Sequence, residues 1–235
     1  FDWGEMPDQI PHKGESLSII TAYFFEELKK VGVNNHYRGI VEEGEVKRLN
    51  ELKNPSNEIE VSLVRVMEPE YIDGKYDYSA YNNNPDNCLI PLEIIYRNTL
   101  PEHSSFRRRA SNDELNITEY GLKELPAPGT PLSKPIFDVS TKLESSDRYI
   151  SWQQAKEISG INDKELDQIL DVLIRVNNLI TREVEKAELK NLDGKIELGF
   201  NEKRELIVVD AVGTPDECRF SYKGFSISKE AIRKY

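Results

Sequence analysis

Apolar residues recur at three- and four-residue spacing through Leu17, Ile20, Phe24, Leu28 and Val31, and Gly32 follows them. That period predicts a helix, with Ser16 as its N-cap and Gly32 as its stop. Residues 37–67 are rich in strand formers and broken by the polar turn Lys53-Asn54-Pro55-Ser56-Asn57, which predicts a meander or hairpin. Residues 76–87, dense in Tyr, Asn, Asp and Pro, read as loop. The short β-branched run Cys88-Leu-Ile-Pro-Leu-Glu-Ile-Ile-Tyr-Arg97 predicts a buried strand. Residues 110–135 read as loop and short helix, ending in Pro126, Pro128, Pro131 and Pro135.

Two helices come next. One spans residues 151–159 with Ser151 as N-cap. The other spans 163–189 and carries the stripe Leu166, Ile169, Leu170, Leu173, Val176, Ile180 and Val184. Beyond them, residues 195–200 and 205–211 predict two strands joined by Asn201-Glu-Lys-Arg204. Strands and helices fall in blocks rather than alternating, which favours an α+β fold with antiparallel sheets.

The chain has 235 residues, of which 38% are hydrophobic, enough for one sizeable core or two unequal lobes. No apolar run approaches the roughly 20 residues that span a bilayer. A net charge of −11 disfavours nucleic acid and anionic membranes as partners. It leaves room for small anions wherever basic residues cluster, as Arg97 does with Arg107, Arg108 and Arg109. Cys88 and Cys218 form no metal-binding spacing and read as reduced, partly buried thiols of a cytoplasmic protein.

Candidate chemistry begins with Glu93 and Arg97, which share one face of a core strand and must aim it at water, partners or a ligand. In the later hairpin, a four-residue loop sets Glu197 opposite Val208, with Asp210 as its diagonal neighbour. Lys195, Glu197 and Asp210 then project from one face, while Ile196, Leu198 and Phe200 share the other with Ile207 and Val209. Two adjacent carboxylates suit a hard cation such as Mg²⁺, although a polar exposed hairpin would look the same. Thr214-Pro-Asp-Glu-Cys-Arg219 reads as a loop presenting Asp216 and Arg219.

Four blocks together resemble the SAICAR synthetase family. They are Phe1-Asp-Trp-Gly with residues 6–14; residues 91–98 with Leu100-Pro-Glu-His-Ser-Ser105; Pro135-Ile-Phe-Asp138 with Thr141, Lys142 and Asp147; and residues 195–200 through Asp210 to Arg219. The resemblance implies a two-lobed fold whose ATP-binding lobe is related to kinase and ATP-grasp folds. Residues 1–88 would be the rest of that smaller lobe with a connecting helix, and residues 89–235 the larger, catalytic lobe. It implies that the small lobe's first strands, with a Gly-Lys-x-Lys-type loop over the ATP phosphates, are missing from this sequence. It also marks a departure, His103 where the family often has glycine.

The activity implied is an ATP-dependent ligation of L-aspartate to the carboxylate of carboxyaminoimidazole ribonucleotide, in purine biosynthesis, by a homodimer. Glu197 and Asp210 would hold Mg²⁺, and Lys195 would sit beside the transferred phosphoryl group. Leu89, Ile90, Pro91 and Glu93 would line the ATP. Arg97, Ser104, Ser105 and Arg219 would grip the ribotide phosphate, Asp216 its ribose or ring. Lys142 and Asp147 would lie near aspartate or ribotide. A kinase-like phosphotransferase would use similar parts but lacks the His-Arg-Asp loop here; a non-catalytic ribotide-binding module is the other alternative.

Overall fold

The computed structural model describes residues 9–229 and 231; Phe1-Asp-Trp-Gly and the start of the 6–14 block lie outside them. In chain order the elements are α1 (Lys13–Lys30), β1 (Tyr37–Glu42), β2 (Glu45–Lys47), β3 (Ile59–Val61), β4 (Glu70–Ile72), β5 (Lys75–Asp77) and β6 (Cys88–Thr99). There follow α2 (Ser105–Ser111), β7 (Pro131–Thr141), α3 (Trp152–Ser159), α4 (Asp163–Glu185), β8 (Lys190–Phe200), β9 (Leu206–Val209), β10 (Cys218–Tyr222) and β11 (Phe225–Ile227). Every pairing between these strands is antiparallel.

The main sheet runs β11-β10-β8-β6-β7, with β9 beside the second half of β8. Strand β6 alternates cleanly. Its Ile90, Leu92, Ile94 and Tyr96 enter the core with Phe24, Phe25 and Leu28 of α1 and Ile169, Leu173 and Ile180 of α4. Glu93, Ile95 and Arg97 face the other way, into a cleft. Helices α1, α3 and α4 thus cover one face of the sheet, and the cleft opens on the other. A second sheet, β2-β1-β3, is fastened to the first by parallel bridges Asn35–Val208 and Arg65–Cys88.

Several boundaries differ from the sequence expectation. Helix α1 starts at Lys13, because Ser16 N–H already donates to the His12 carbonyl at 3.0 Å; Ser16 is inside the helix, not its cap. Tyr76 sits in a short β4–β5 hairpin rather than in loop. Strand β7 begins at Pro131, within the segment read as loop, because it is the edge strand of its sheet and an edge tolerates proline. Helix α4 stops at Glu185, where Leu189 N–H turns back to the Val184 carbonyl at 3.1 Å and Glu188 takes φ 59°. Strand β8 therefore starts at Lys190, five residues early. Ser151 does cap α3, with Gln154 completing a capping box.

Candidate active site

The cleft, about 1010 Å³, is lined from β6, β8 and β10 and by Ser105 and Arg108 of α2. Register arranges its charges in rows. Ser140, Glu93, Glu197 and Val209 stand side by side across four strands; two residues along come Asp138, Ile95 and Lys195; two further come Ile136, Arg97, Asp193 and Arg219.

The first row is an acidic pair clamped by lysines. Lys195 Nζ is 2.5 Å from Glu93 and 3.4 Å from Glu217, while Lys142 Nζ is 2.5 Å from Glu197 and 3.5 Å from Glu93. Burial pulls both ammonium groups down, but the surrounding carboxylates outweigh it and both pKa values rise. Glu197 is pushed up to about 7, by burial first and by the charge of Asp210 second. Glu217 and Asp147 are also raised, each chiefly by desolvation.

The hairpin register is one residue off the sequence expectation: Glu197 pairs with Val209, and Leu198 with Val208. Val208 consequently enters the main core, and Ile207 and Val209 move to the cleft side with Leu89. The slip arises because Arg204 closes the loop with φ 56°, so its N–H returns to Asn201 and the ladder starts at Leu206. Asp210 is then the first residue past the strand, exposed, with φ 59°, and its carbonyl accepts from His36 Nε2 at 3.3 Å. Among the described residues no three His, Cys, Asp or Glu side chains converge as a metal cluster. Glu197 and Asp210 still fit a hard cation in kind, since both are oxygen donors and the Asp210 charge helps push the Glu197 carboxyl up.

The third row is a basic end. Arg97, 2% exposed, donates to Ser105 Oγ and to Asp138 Oδ2, both at 3.1 Å. Arg219 grips Asp193 through Nε and Nη2 at 2.7 and 2.5 Å. It does so from β10, not from the loop expected of it; the turn ends at Glu217. Asp216 remains in that turn and accepts from Lys13 Nζ at 2.8 Å. Gly213 shapes this loop: at φ 72°, an added Cβ would fall 2.2 Å from the Phe24 ring of α1.

Ser104 is buried as the N-cap of α2, accepting from Arg107 N–H at 3.4 Å, whereas Ser105 lines the cleft. His103 is exposed at the cleft wall, and Asp147 lies on its rim. Of the 89–91 line, Leu89 offers its side chain to a small apolar cluster with Ile207, Val209, Val64 and Leu143. Ile90 points into the core, Leu89 N–H is spent on the Arg65 carbonyl at 2.8 Å, and the Pro91 carbonyl accepts from Lys142 N–H at 3.1 Å. Sequence reasoning missed Asp193, Asp138, Tyr149 and Glu217. Asp193 was findable, since it shares the alternation of Lys195 and Glu197.

Comparison with known proteins agrees with this architecture. A provisionally named phosphoribosylaminoimidazole-succinocarboxamide synthase of Archaeoglobus fulgidus is 52% identical over 235 residues, 100% of this chain and 70% of that protein. The synthase of Thermoplasma acidophilum is 30% identical, over 98% of this chain and 72% of its own. Among solved structures, a Type-2 SAICAR synthetase in complex with ADP superposes with a TM-score of 0.66 at 21% identity, covering 96% of this chain and 75% of that one. The Saccharomyces cerevisiae SAICAR-synthase complexed with SAICAR gives 0.63 at 24% identity, over 97% and 71%. The SAICAR synthetase family model matches residues 1–235, and this chain belongs to that family.

Proposed function

We propose that this chain carries out the ATP-dependent ligation of purine biosynthesis that its family is named for, joining L-aspartate to the carboxylate of carboxyaminoimidazole ribonucleotide. The observation that carries this reading is the polarity of the cleft: a carboxylate–lysine end and an arginine–serine end on one sheet face. Arg97 lies four residue steps along the strand from Glu93, roughly 13 Å. That span suits a ribotide with its phosphate at the arginines and its reacting carboxylate toward the lysines.

At the basic end, Arg97, Ser105 and Arg219 hold the phosphate by charge-assisted hydrogen bonds. Asp216 and Asp147 lie within reach of the ribose, ring or aspartate. At the other end, the apolar cluster of Leu89, Ile207 and Val209 offers a wall for adenine, next to Glu197. Glu197 and Asp210 would hold Mg²⁺, which supplies positive charge against the phosphate oxygens during transfer.

The chemistry proceeds by attack of a ribotide carboxylate oxygen on the γ-phosphorus of ATP, releasing ADP and forming an acyl phosphate. The aspartate amine then attacks the acyl carbon, the C–O bond to phosphate breaks, and the amine loses its proton. Lys195 and Lys142 reduce the repulsion between the two anions brought together, and the fixed rows position them. The test is release of ADP by the full-length gene product, dependent on both aspartate and ribotide. ADP release that needs neither substrate would refute the reading.

A further inference from the structure

The cleft wall at Arg97 closes on itself. Arg97 Nη2 reaches Ser105 Oγ and Asp138 Oδ2, both at 3.1 Å, and Asp138 also accepts from Arg109. The Arg109 guanidinium lies 3.7 Å from the centre of the Tyr149 ring, and the Tyr149 hydroxyl stands 2.6 Å from Ser105 Oγ. Five side chains form one circuit, and three of them, Arg97, Ser105 and Tyr149, line the cleft. Backbone pairing holds Tyr149 there: it bridges Ser140 of β7, with Ile150 N–H on the Val139 carbonyl at 3.1 Å.

The circuit carries surplus positive charge. Asp138 serves both Arg97 and Arg109, while Asp193 is gripped by Arg219 and lies 3.8 Å from Arg97. Within the circuit itself, the two buried arginines Arg97 and Arg109 share the one carboxylate of Asp138. Among the described residues, neither Arg97 Nε nor Arg109 Nε has a hydrogen-bond partner. Buried cations in excess of their carboxylates favour an incoming anion.

The Ser105 hydroxyl decides how that anion is met. A serine oxygen has two lone pairs and one rotatable proton. Arg97 can only donate, so it occupies one lone pair. If the Tyr149 proton occupies the other, the Ser105 proton has no partner inside the circuit and must point into the cleft. We propose that Tyr149 is a positioning residue that, by donating to Ser105, turns the Ser105 proton outward to donate to a phosphate bound beside Arg97. The proposal rests on the reading of this end as the phosphate end.

The test is titration of the full-length protein with ribose 5-phosphate, in wild type, Tyr149→Phe, Ser105→Ala and the double variant. Tyr149→Phe keeps the ring over Arg109 and removes only the hydroxyl. Its ribose 5-phosphate affinity should fall about three- to tenfold, as for one lost hydrogen bond, with Mg·ADP affinity unchanged. The double variant should bind no more weakly than Ser105→Ala alone, because Tyr149 acts through Ser105. Unchanged affinity in Tyr149→Phe, additive losses in the double variant, or equal weakening toward Mg·ADP would each overturn the proposal. A wild type that fails to bind ribose 5-phosphate would overturn it together with the phosphate end. Normal binding and coupling without ligase turnover would refute the ligation reading and leave the Tyr149 role standing.

Discussion

Glu93 and Glu197 stand directly opposite one another on β6 and β8, and the ammonium of Lys142 lies 3.5 Å from the first and 2.5 Å from the second. Like charges facing across a strand pair are destabilising unless cations intervene. Lys195, at 2.5 Å from Glu93, completes a quartet of two carboxylates and two ammoniums. Its carboxylates keep both lysines protonated through the neutral range. Phosphate oxygens entering the cleft therefore compete with Glu93 and Glu197 for the same ammoniums.

Asp210 is exposed and makes no side-chain contribution to the core, and asparagine tolerates its left-handed backbone about as well as aspartate does. Asp210→Asn should abolish turnover while stability changes by no more than about 0.5 kcal/mol. Steady-state assay beside urea denaturation checks both halves. Turnover near wild type would remove Asp210 from the cation site.

Arg219→Ala should raise the ribotide KM by about ten- to a hundredfold, the loss of one charge-assisted contact, with a smaller effect on the KM for ATP. A larger effect on ATP would assign Arg219 to the nucleotide end.

Gly194 is pressed against the core: an added Cβ would lie 2.4 Å from the Tyr96 hydroxyl and 2.8 Å from Cys218 Sγ. Gly194→Ala should cost about 1–3 kcal/mol by overpacking. Equilibrium urea unfolding measures it, and an unchanged midpoint would mean that Tyr96 moves aside freely.

Glu183 accepts from Tyr23 of α1 at 2.5 Å and pairs with Lys186 and Arg182. These contacts, Lys186 first, hold its carboxyl down at about 2. A depressed carboxyl stabilises the fold above its unfolded value, near 4.5, and that stability is lost as pH falls toward 2. Glu183→Gln should lower the Tm at pH 7 and flatten its decline between pH 4.5 and 2. A parallel curve for variant and wild type would show that Glu183 has no part in acid unfolding. Some slope will remain from Glu42, which is depressed in the same way by Lys47.

The helices and the two-faced strand β6 were legible because their periods are set by burial alone: Leu173 and Ile180 repeat on α4, and Glu93 and Arg97 fall on the pleat opposite Leu92 and Tyr96. The hairpin was legible as a hairpin but not in register, since one loop residue with positive φ, Arg204, shifts every partner by one. Strand β7 was hidden by Pro131 and Pro135, whose cost depends on whether a strand lies at an edge. Tyr149 and Asp138 were hidden for another reason. Their meaning comes from contacts with Ser105 and Arg97, 44 and 41 residues away, and local sequence carries no trace of such pairings.

The bridge between Asn35 and Val208 has a mechanical corollary. His36 N–H bonds the Val208 carbonyl at 3.1 Å, Val208 N–H bonds the Asn34 carbonyl at 2.9 Å, and the His36 ring holds the Asp210 carbonyl. From the far side, Ser62 N–H bonds the His36 carbonyl at 2.7 Å. The small sheet and the backbone that carries Asp210 are thereby geared together, and because β9 is also laddered to β8, Asp210 stands at the joint where a tilt of either sheet against the other is felt.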